Sequence, residues 1–204
     1  MPGALLPSAP KIWNHPHHQP HCCPVWLGYV LASPLRRLVE DPDEALARLV
    51  KPGDHLIEVG PAMGFFTLPL ARRVGPSGQV VCVELASGMI QRLQQRVDRA
   101  RLTDRVTIRQ CRTESLAIDD LQGSADGALL MNVLHELSDP PTAITELHAA
   151  LAPGGFLLLV EPAGHCSKAL WNAELELIAA SGFRHDPSFA LKGSRRLVAL
   201  FLRE

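Results

Sequence analysis

From Leu56 onward, short unbroken apolar runs alternate with longer stretches whose apolar residues recur every three or four positions. The runs read as strands buried on both faces, and the periodic stretches as helices with one wet side. Five runs fit the first kind: Leu56-Ile57, Gln79 to Val83, Val106 to Ile108, Ala125 to Met131, and Phe156 to Val160. The intervening helices carry their own punctuation. One follows Gly64, with Pro69 near enough to its start that the missing N–H costs nothing. A second is predicted from Ser87, read as its cap, through Met89, Ile90, Leu93 and Val97, with Arg92, Arg96 and Arg99 as a solvated row. Ser138-Asp139-Pro140-Pro141 opens a third (Ala143 to Leu151), ended by Pro153-Gly154-Gly155, and Ala169 to Ala180 forms a fourth. Two adjacent strands, roughly 184–190 and 196–202, close the chain as a hairpin. The pattern predicts an α/β sheet that is parallel with an antiparallel edge.

Ahead of this rhythm the pattern is weaker. Asp41-Pro42-Asp43-Glu44 reads as a helix start, with an acidic cap, proline at the first position and Leu46, Leu49 and Val50 on the buried side. Residues 1–12 carry no periodicity and are expected to be a loose tail. Val25 to Leu31 is apolar at helical spacing, and Leu35, Leu38 and Val39 continue it beyond Ser33-Pro34.

The first strand runs into Glu58-Val59-Gly60-Pro61-Ala62-Met63-Gly64 and then into a helix. A strand that breaks into a glycine-bearing turn and opens a helix is the cofactor crossing point of doubly wound sheets. Glycine is expected there because the chain turns sharply and approaches a ligand where a Cβ would collide. The second strand ends in Glu84, a carboxylate placed to accept both hydroxyls of an adenosine ribose. The glycine spacing alone is weak, since Ala62 stands where a middle glycine is usual; strand, helix and acid together carry the reading.

Composition narrows the class. The 204 residues suit one principal domain, and 47% apolar content excludes general disorder. A formal charge of −1 gives no field favouring nucleic acid or an anionic membrane surface. No apolar run reaches the roughly 18–20 residues of a membrane span. The proline-broken start lacks a basic segment and is a poor signal peptide. Five unevenly spaced cysteines do not form a secreted disulfide framework. The expectation is a soluble, cytoplasmic protein with a small-molecule partner, no nucleic acid and no membrane; oligomeric state is not readable.

Four pieces in order then give the sequence a resemblance. Glu58-x-Gly60-x-x-x-Gly64, Glu84, the Asp126 to His135 segment, and Leu151-Ala152-Pro153-Gly154-Gly155-Phe156-Leu157 together resemble the class I S-adenosylmethionine-dependent methyltransferases over about residues 41–203. Within that class the chain is similar to the small ubiquinone/menaquinone-type and arsenite-methyltransferase-like branch. The resemblance implies a Rossmann-like seven-stranded sheet of order 3-2-1-4-5-7-6, strand 7 antiparallel, with helices on both faces. It implies S-adenosylmethionine as cofactor, a binding domain over 41–204, and a tail with lid helices over 1–40. Gly60, Pro61, Ala62 and Gly64 would approach the methionine part, and Glu58 would help hold its ammonium. Glu84 would take the ribose, with Leu85 and Met89 as an apolar wall for adenine. Cys111-Arg112 replaces the Gly-Asp that many relatives place after strand three, so Thr113 or a backbone amide would substitute there. Asn132 would orient cofactor or acceptor.

Methyl transfer from a sulfonium is an in-line displacement, so the protein must chiefly align two atoms and exclude water. A base is needed where the acceptor must lose a proton. His135, just past strand four, is the candidate, against a histidine that merely packs in the turn. Glu161, Pro162, His165 and Cys166 follow strand five on the same edge, and His165 and Cys166 are candidate substrate contacts. Cys82, in mid-strand, reads as core packing. The cluster His15, His17, His18, His21, Cys22 and Cys23 has the ligand types that suit soft metals but no standard zinc spacing. No metal site is expected; Cys22 and Cys23 are instead candidate contacts for a thiophilic acceptor. The rivals are an NAD-dependent oxidoreductase, which the Pro-Gly-Gly turn counts against, and a non-catalytic protein binding S-adenosylmethionine or metal.

Overall fold

Every apolar run becomes a strand, and the strands pair in the expected order. The structure, a computed structural model, describes residues 42–164, 166–190 and 196–204. The predicted tail and lid helices over 1–40 lie outside them. In chain order the elements are α1 (Pro42–Leu49), β1 (His55–Val59), α2 (Thr67–Val74), β2 (Gln79–Glu84), α3 (Ser87–Ala100) and β3 (Val106–Gln110). They continue with β4 (Ala125–Met131), α4 (Pro140–Ala150), β5 (Leu151–Pro162), α5 (Lys168–Ala180), β6 (Phe183–Asp186) and β7 (Arg196–Arg203). The seven-stranded sheet has the order β3-β2-β1-β4-β5-β7-β6. Strands β1 to β5 are mutually parallel, and β7 runs antiparallel to both neighbours.

Alternation along the strands divides the core in two. Ile57, Val59, Val81, Val83, Ala128, Leu130, Leu157 and Leu159 face a cluster completed by Ile144 and Leu147 of α4 and Leu177 and Ile178 of α5. Leu56, Val80, Cys82, Leu129, Leu158 and Val160 face the opposite cluster, with Leu46 of α1, Leu70 and Val74 of α2, and Leu93 and Val97 of α3. Since both faces are covered, the strands need apolar residues at every position, which is why they read as unbroken runs.

Four boundaries differ from the sequence expectation. Ala86, not Ser87, occupies the cap of α3, and its own side chain makes no capping hydrogen bond. Helix α4 starts at Pro140 because the Asp139 side chain accepts the Thr142 N–H at 3.1 Å; Leu151 is extended and already belongs to β5. Strand β6 stops at Asp186, whose carboxylate turns the chain by accepting from the N–H and hydroxyl of Ser188. Arg96 is not merely solvated: its guanidinium reaches back to the carbonyl of Met63 in the glycine turn.

Two features of the core are unusual. Gly127 of β4 lies opposite Phe156 of β5, and a Cβ at Gly127 would sit 2.3 Å from the ring. The ring thus fills the space that a side chain would need. Glu58 of β1 is only 1% exposed. Its Oε2 accepts the Thr67 hydroxyl at 2.6 Å and the Cys82 thiol at 3.5 Å. Burial raises its pKa to about 7, against the pull of those two hydrogen bonds and with a smaller push from Glu84.

Gly127→Ala should therefore destabilise the protein by about 1–3 kcal/mol in urea unfolding, the usual cost of overpacking. Combining it with Phe156→Leu should cost less than the sum of the two single changes; strict additivity would show that ring and glycine do not share that space. Glu58 sets a pH dependence. Its folded pKa is raised, so below about pH 4.5 the proton is bound in both states and nothing is lost. Between about 4.5 and 7 the unfolded chain releases it first, and stability falls by on the order of 3 kcal/mol before levelling off. Glu58→Gln should gain stability relative to the parent across that window, and parallel pH curves for the two proteins would contradict this.

Candidate functional site

The order of the sheet reverses between β1 and β4, and the crevice beyond the carboxyl ends of those strands is where open α/β sheets hold ligands. Three segments meet there: the glycine turn after β1, the β2–α3 junction, and the turn after β4.

The glycine turn is wound left-handed at three positions, Gly60 (φ 64°), Ala62 (φ 49°) and Gly64 (φ 79°). A Cβ on Gly60 would come within 2.5 Å of the Val133 side chain, and one on Gly64 within 2.5 Å of Leu93. Packing against the protein itself already requires glycine at both positions, whatever ligand the turn approaches. Ala62 adopts the left-handed region without being glycine, a conformation that costs an L-residue roughly 1–2 kcal/mol.

What holds Ala62 there is Glu84. Its Oε2 accepts the Ala62 N–H at 3.0 Å, and its Oε1 accepts the Ala86 N–H at 2.9 Å. One carboxylate thereby ties the turn after β1 to the start of α3. Burial raises its pKa, opposed by backbone donors at Ala86, Ala62 and Leu85. Each oxygen keeps further acceptor capacity. Beside it Leu85 is 40% exposed, the one large exposed hydrophobic side chain among the described residues, while Met89 is buried in the first turn of α3. After β3, the Cys111 N–H donates to the Glu84 carbonyl at 3.0 Å. The Cys111 thiol is half-buried and pushed up to about 11 by desolvation and the Glu84 charge. Thr113 is exposed in a turn closed by Arg112 and Ser115.

The turn after β4 starts with Asn132, again left-handed (φ 61°). Its N–H donates to the Val160 carbonyl at 2.7 Å, and its side-chain oxygen accepts from Arg196 at the start of β7. Val133 then packs on Gly60, and Leu134–Glu136 forms one 3₁₀ turn. In it, His135 Nδ1 lies 2.5 Å from Glu161 Oε2 at the end of β5. Glu161 Oε1 accepts the Leu134 N–H at 3.0 Å and the His135 N–H at 3.4 Å. Burial opposes charge on the ring, but the Glu161 hydrogen bond and charge, with Glu136 beyond and Glu174 wherever it is ionised, raise its pKa.

Cys166 faces inward, its Sγ 3.7 Å from Glu174 Oε2 on α5, and burial with the nearby Glu174 and Glu161 pushes its thiol up to about 12. A thiol so held is not a nucleophile at neutral pH. Cys22, Cys23 and His165 lie outside the described residues. Among the described residues no group of three or more His, Cys, Asp or Glu is arranged to hold a metal.

The structure thus brings Gly60, Pro61, Ala62, Gly64, Glu58, Glu84, Leu85, Asn132 and His135 to one edge of the sheet, with Glu58 beneath the turn. Sequence reasoning passed over Thr67 and Glu174, and placed Glu161 at this edge without giving it a role. Thr67 and Glu174 carried a readable signal, because each lies in phase with the apolar face of its helix: Thr67 with Leu70, Ala71 and Val74, and Glu174 with Leu177 and Ile178. Glu161, at a strand end, was legible as lying on this edge but carried no signal of its partnership with His135.

A family described as a methyltransferase domain matches residues 57–159, just over half of the chain. The demethylmenaquinone methyltransferase of Symbiobacterium thermophilum is 27% identical over 135 residues, which are 63% of this chain and 53% of that protein. A ubiquinone/menaquinone biosynthesis C-methyltransferase of Xanthomonas oryzae pv. oryzae is 31% identical over 117 residues, 55% of this chain and 44% of that one. The chain therefore spans about half the length of these relatives. An S-adenosylmethionine-dependent methyltransferase of Aquifex aeolicus has the same fold, with a TM-score of 0.77 at 19% identity over 88% of this chain and 98% of that one. So does the [4+2]-cyclase SpnF, with a TM-score of 0.60 at 25% identity over 74% of this chain and 58% of the other. From the matched domain and the sheet order, the chain belongs to the methyltransferase domain family and has the fold of the class I S-adenosylmethionine-dependent methyltransferases.

Proposed function

We propose that this chain binds S-adenosylmethionine at the crevice between β1 and β4 and passes its methyl group to a small-molecule acceptor above β4 and β5. One observation carries the reading. The Glu84 carboxylate, fixed from two sides by Ala62 and Ala86, stands at the end of β2 with acceptor capacity left and an exposed Leu85 beside it. A ribose diol supplies two donors to such a carboxylate, and adenine an apolar face to such a leucine.

In this reading Gly60, Pro61, Ala62 and Gly64 shape the turn along the methionine part, and Glu58 balances its ammonium from beneath. Met89 supports the adenine end from inside α3, Thr113 borders it, and Asn132 marks the boundary with the acceptor. The bound cofactor supplies an electrophilic methyl on a sulfonium; everything else is alignment, exclusion of water and handling of a proton. His135 takes that proton, since it is the described imidazole at this edge. The quinone-pathway names of the relatives support a small organic acceptor for this chain also. A formal charge of −1 and the lack, among the described helices, of one long and apolar enough to cross a membrane support a cytoplasmic enzyme without a nucleic-acid partner.

Glu84→Gln keeps the shape but replaces one acceptor oxygen with a donor, and Glu84→Ala removes both. Calorimetric titration should show S-adenosylmethionine binding weakened about tenfold or more in Gln and further in Ala, the loss expected for charge-assisted hydrogen bonds. Unchanged affinity in a folded Glu84→Ala protein would remove Glu84 from the site.

A further inference from the structure

Two buried glutamates flank His135, and their surroundings differ. Glu161, 0% exposed, receives three N–H groups: the backbone of Leu134 and His135 on Oε1 and the ring Nδ1 on Oε2. Glu174, also 0% exposed, receives among the described residues only the Cys166 thiol on Oε2, at 3.7 Å, and its buried Oε1 has no partner among them. Three N–H donors select a carboxylate anion, whereas a buried carboxyl with one weak donor is held as the neutral acid.

We propose that Glu161 is a positioning residue that fixes the His135 ring with its proton on Nδ1 and its lone pair on Nε2, while Glu174 stays neutral so that the dyad carries one negative charge. Burial, with the Glu161 charge adding to it, pushes Glu174 up to about 8, against the smaller pull of His135 and Cys166, which agrees with the geometry. Among the described residues the groups facing the ring are Glu136 on its own turn, with Oε1 3.9 Å from Nε2, Glu161 on β5, and Glu174 on α5, which also holds the Cys166 thiol.

The inference rests on the methyl-transfer reading and deepens it by naming the acceptor class. An Nε2 lone pair serves an acceptor whose nucleophilic atom carries a proton, a hydroxyl or a carbon acid. The acceptor's proton passes to Nε2 as its electron pair forms the new bond to the methyl carbon. The carbon–sulfur bond breaks, its electron pair leaves with sulfur as a neutral thioether, and the imidazolium rests against Glu161. An Nε2–H would instead face the acceptor as a donor and could not take this proton.

Nitrogen-15 NMR of the imidazole rings in the full chain, with His135 assigned by its loss in His135→Asn, reads the tautomer directly and needs no acceptor. Above the ring's raised pKa, the proton should be on Nδ1. Glu161→Gln should lower the His135 pKa by about one unit or more, the loss of a close opposite charge. Glu174→Gln should leave it nearly unchanged below pH 8, because one neutral group replaces another. A proton on Nε2 in the unaltered protein, or a fall in Glu174→Gln as large as in Glu161→Gln, would overturn the proposal. The wild-type tautomer decides the matter even if Glu161→Gln does not fold. Calorimetry with S-adenosylmethionine on the same samples separates the two levels: failure to bind removes the methyl-transfer reading, whereas binding with the wrong tautomer removes only this inference.

Discussion

The carboxylate of Glu84 is the point on which the crevice depends. A parallel sheet leaves its strand ends joined only by loops, and loops have no hydrogen-bond ladder to fix their separation. By accepting from Ala62 and Ala86, Glu84 makes two adjacent loops into one surface. It also offsets the strain of a left-handed alanine, a conformation that persists only where its surroundings hold it. Backbone N–H groups supply this buried carboxylate with part of the solvation that water would, against the upward push of burial on its pKa.

A second constraint couples the two halves of the site. Val133 packs where a Cβ of Gly60 would lie, two residues before His135. The turn after β1 and the turn after β4 therefore cannot shift independently, and the place of the imidazole follows from that of the glycine turn. Glu161 completes the arrangement by binding the backbone and ring of the same short turn from β5. Neighbouring strands β1, β4 and β5 thus each contribute one fixed element, which is how loops of few residues acquire a defined geometry.

Most of this architecture was legible in the chain because burial on two faces leaves a strong mark. Val80-Val81-Cys82-Val83 and Leu157-Leu158-Leu159-Val160 could hardly be anything but central strands. Helix starts were less legible: Ser87 looked like a cap, but the bond at that end is made by Glu84, three residues earlier and in a strand. Arg96 looked solvated because helical phase says nothing of a long side chain reaching a loop carbonyl. Glu58, Gly60 and Glu84 marked the proposed cofactor face, yet the packing that requires the glycines could not be read, since Val133 and Leu93 are distant in sequence. The partnership of His135 with Glu161 depends on strand order and register, which no local pattern encodes. Glu174 is the instructive miss, a charge in the apolar phase of its helix whose burial was there to be counted.

The central claim is that this crevice holds an adenosyl sulfonium. Equilibrium binding of labelled S-adenosylmethionine to the unaltered protein, with S-adenosylhomocysteine and NAD as competitors, tests it most directly. The account predicts saturable binding to one site per chain, displaced by S-adenosylhomocysteine and indifferent to NAD. Absence of saturable binding, or displacement by NAD with equal ease, would contradict it.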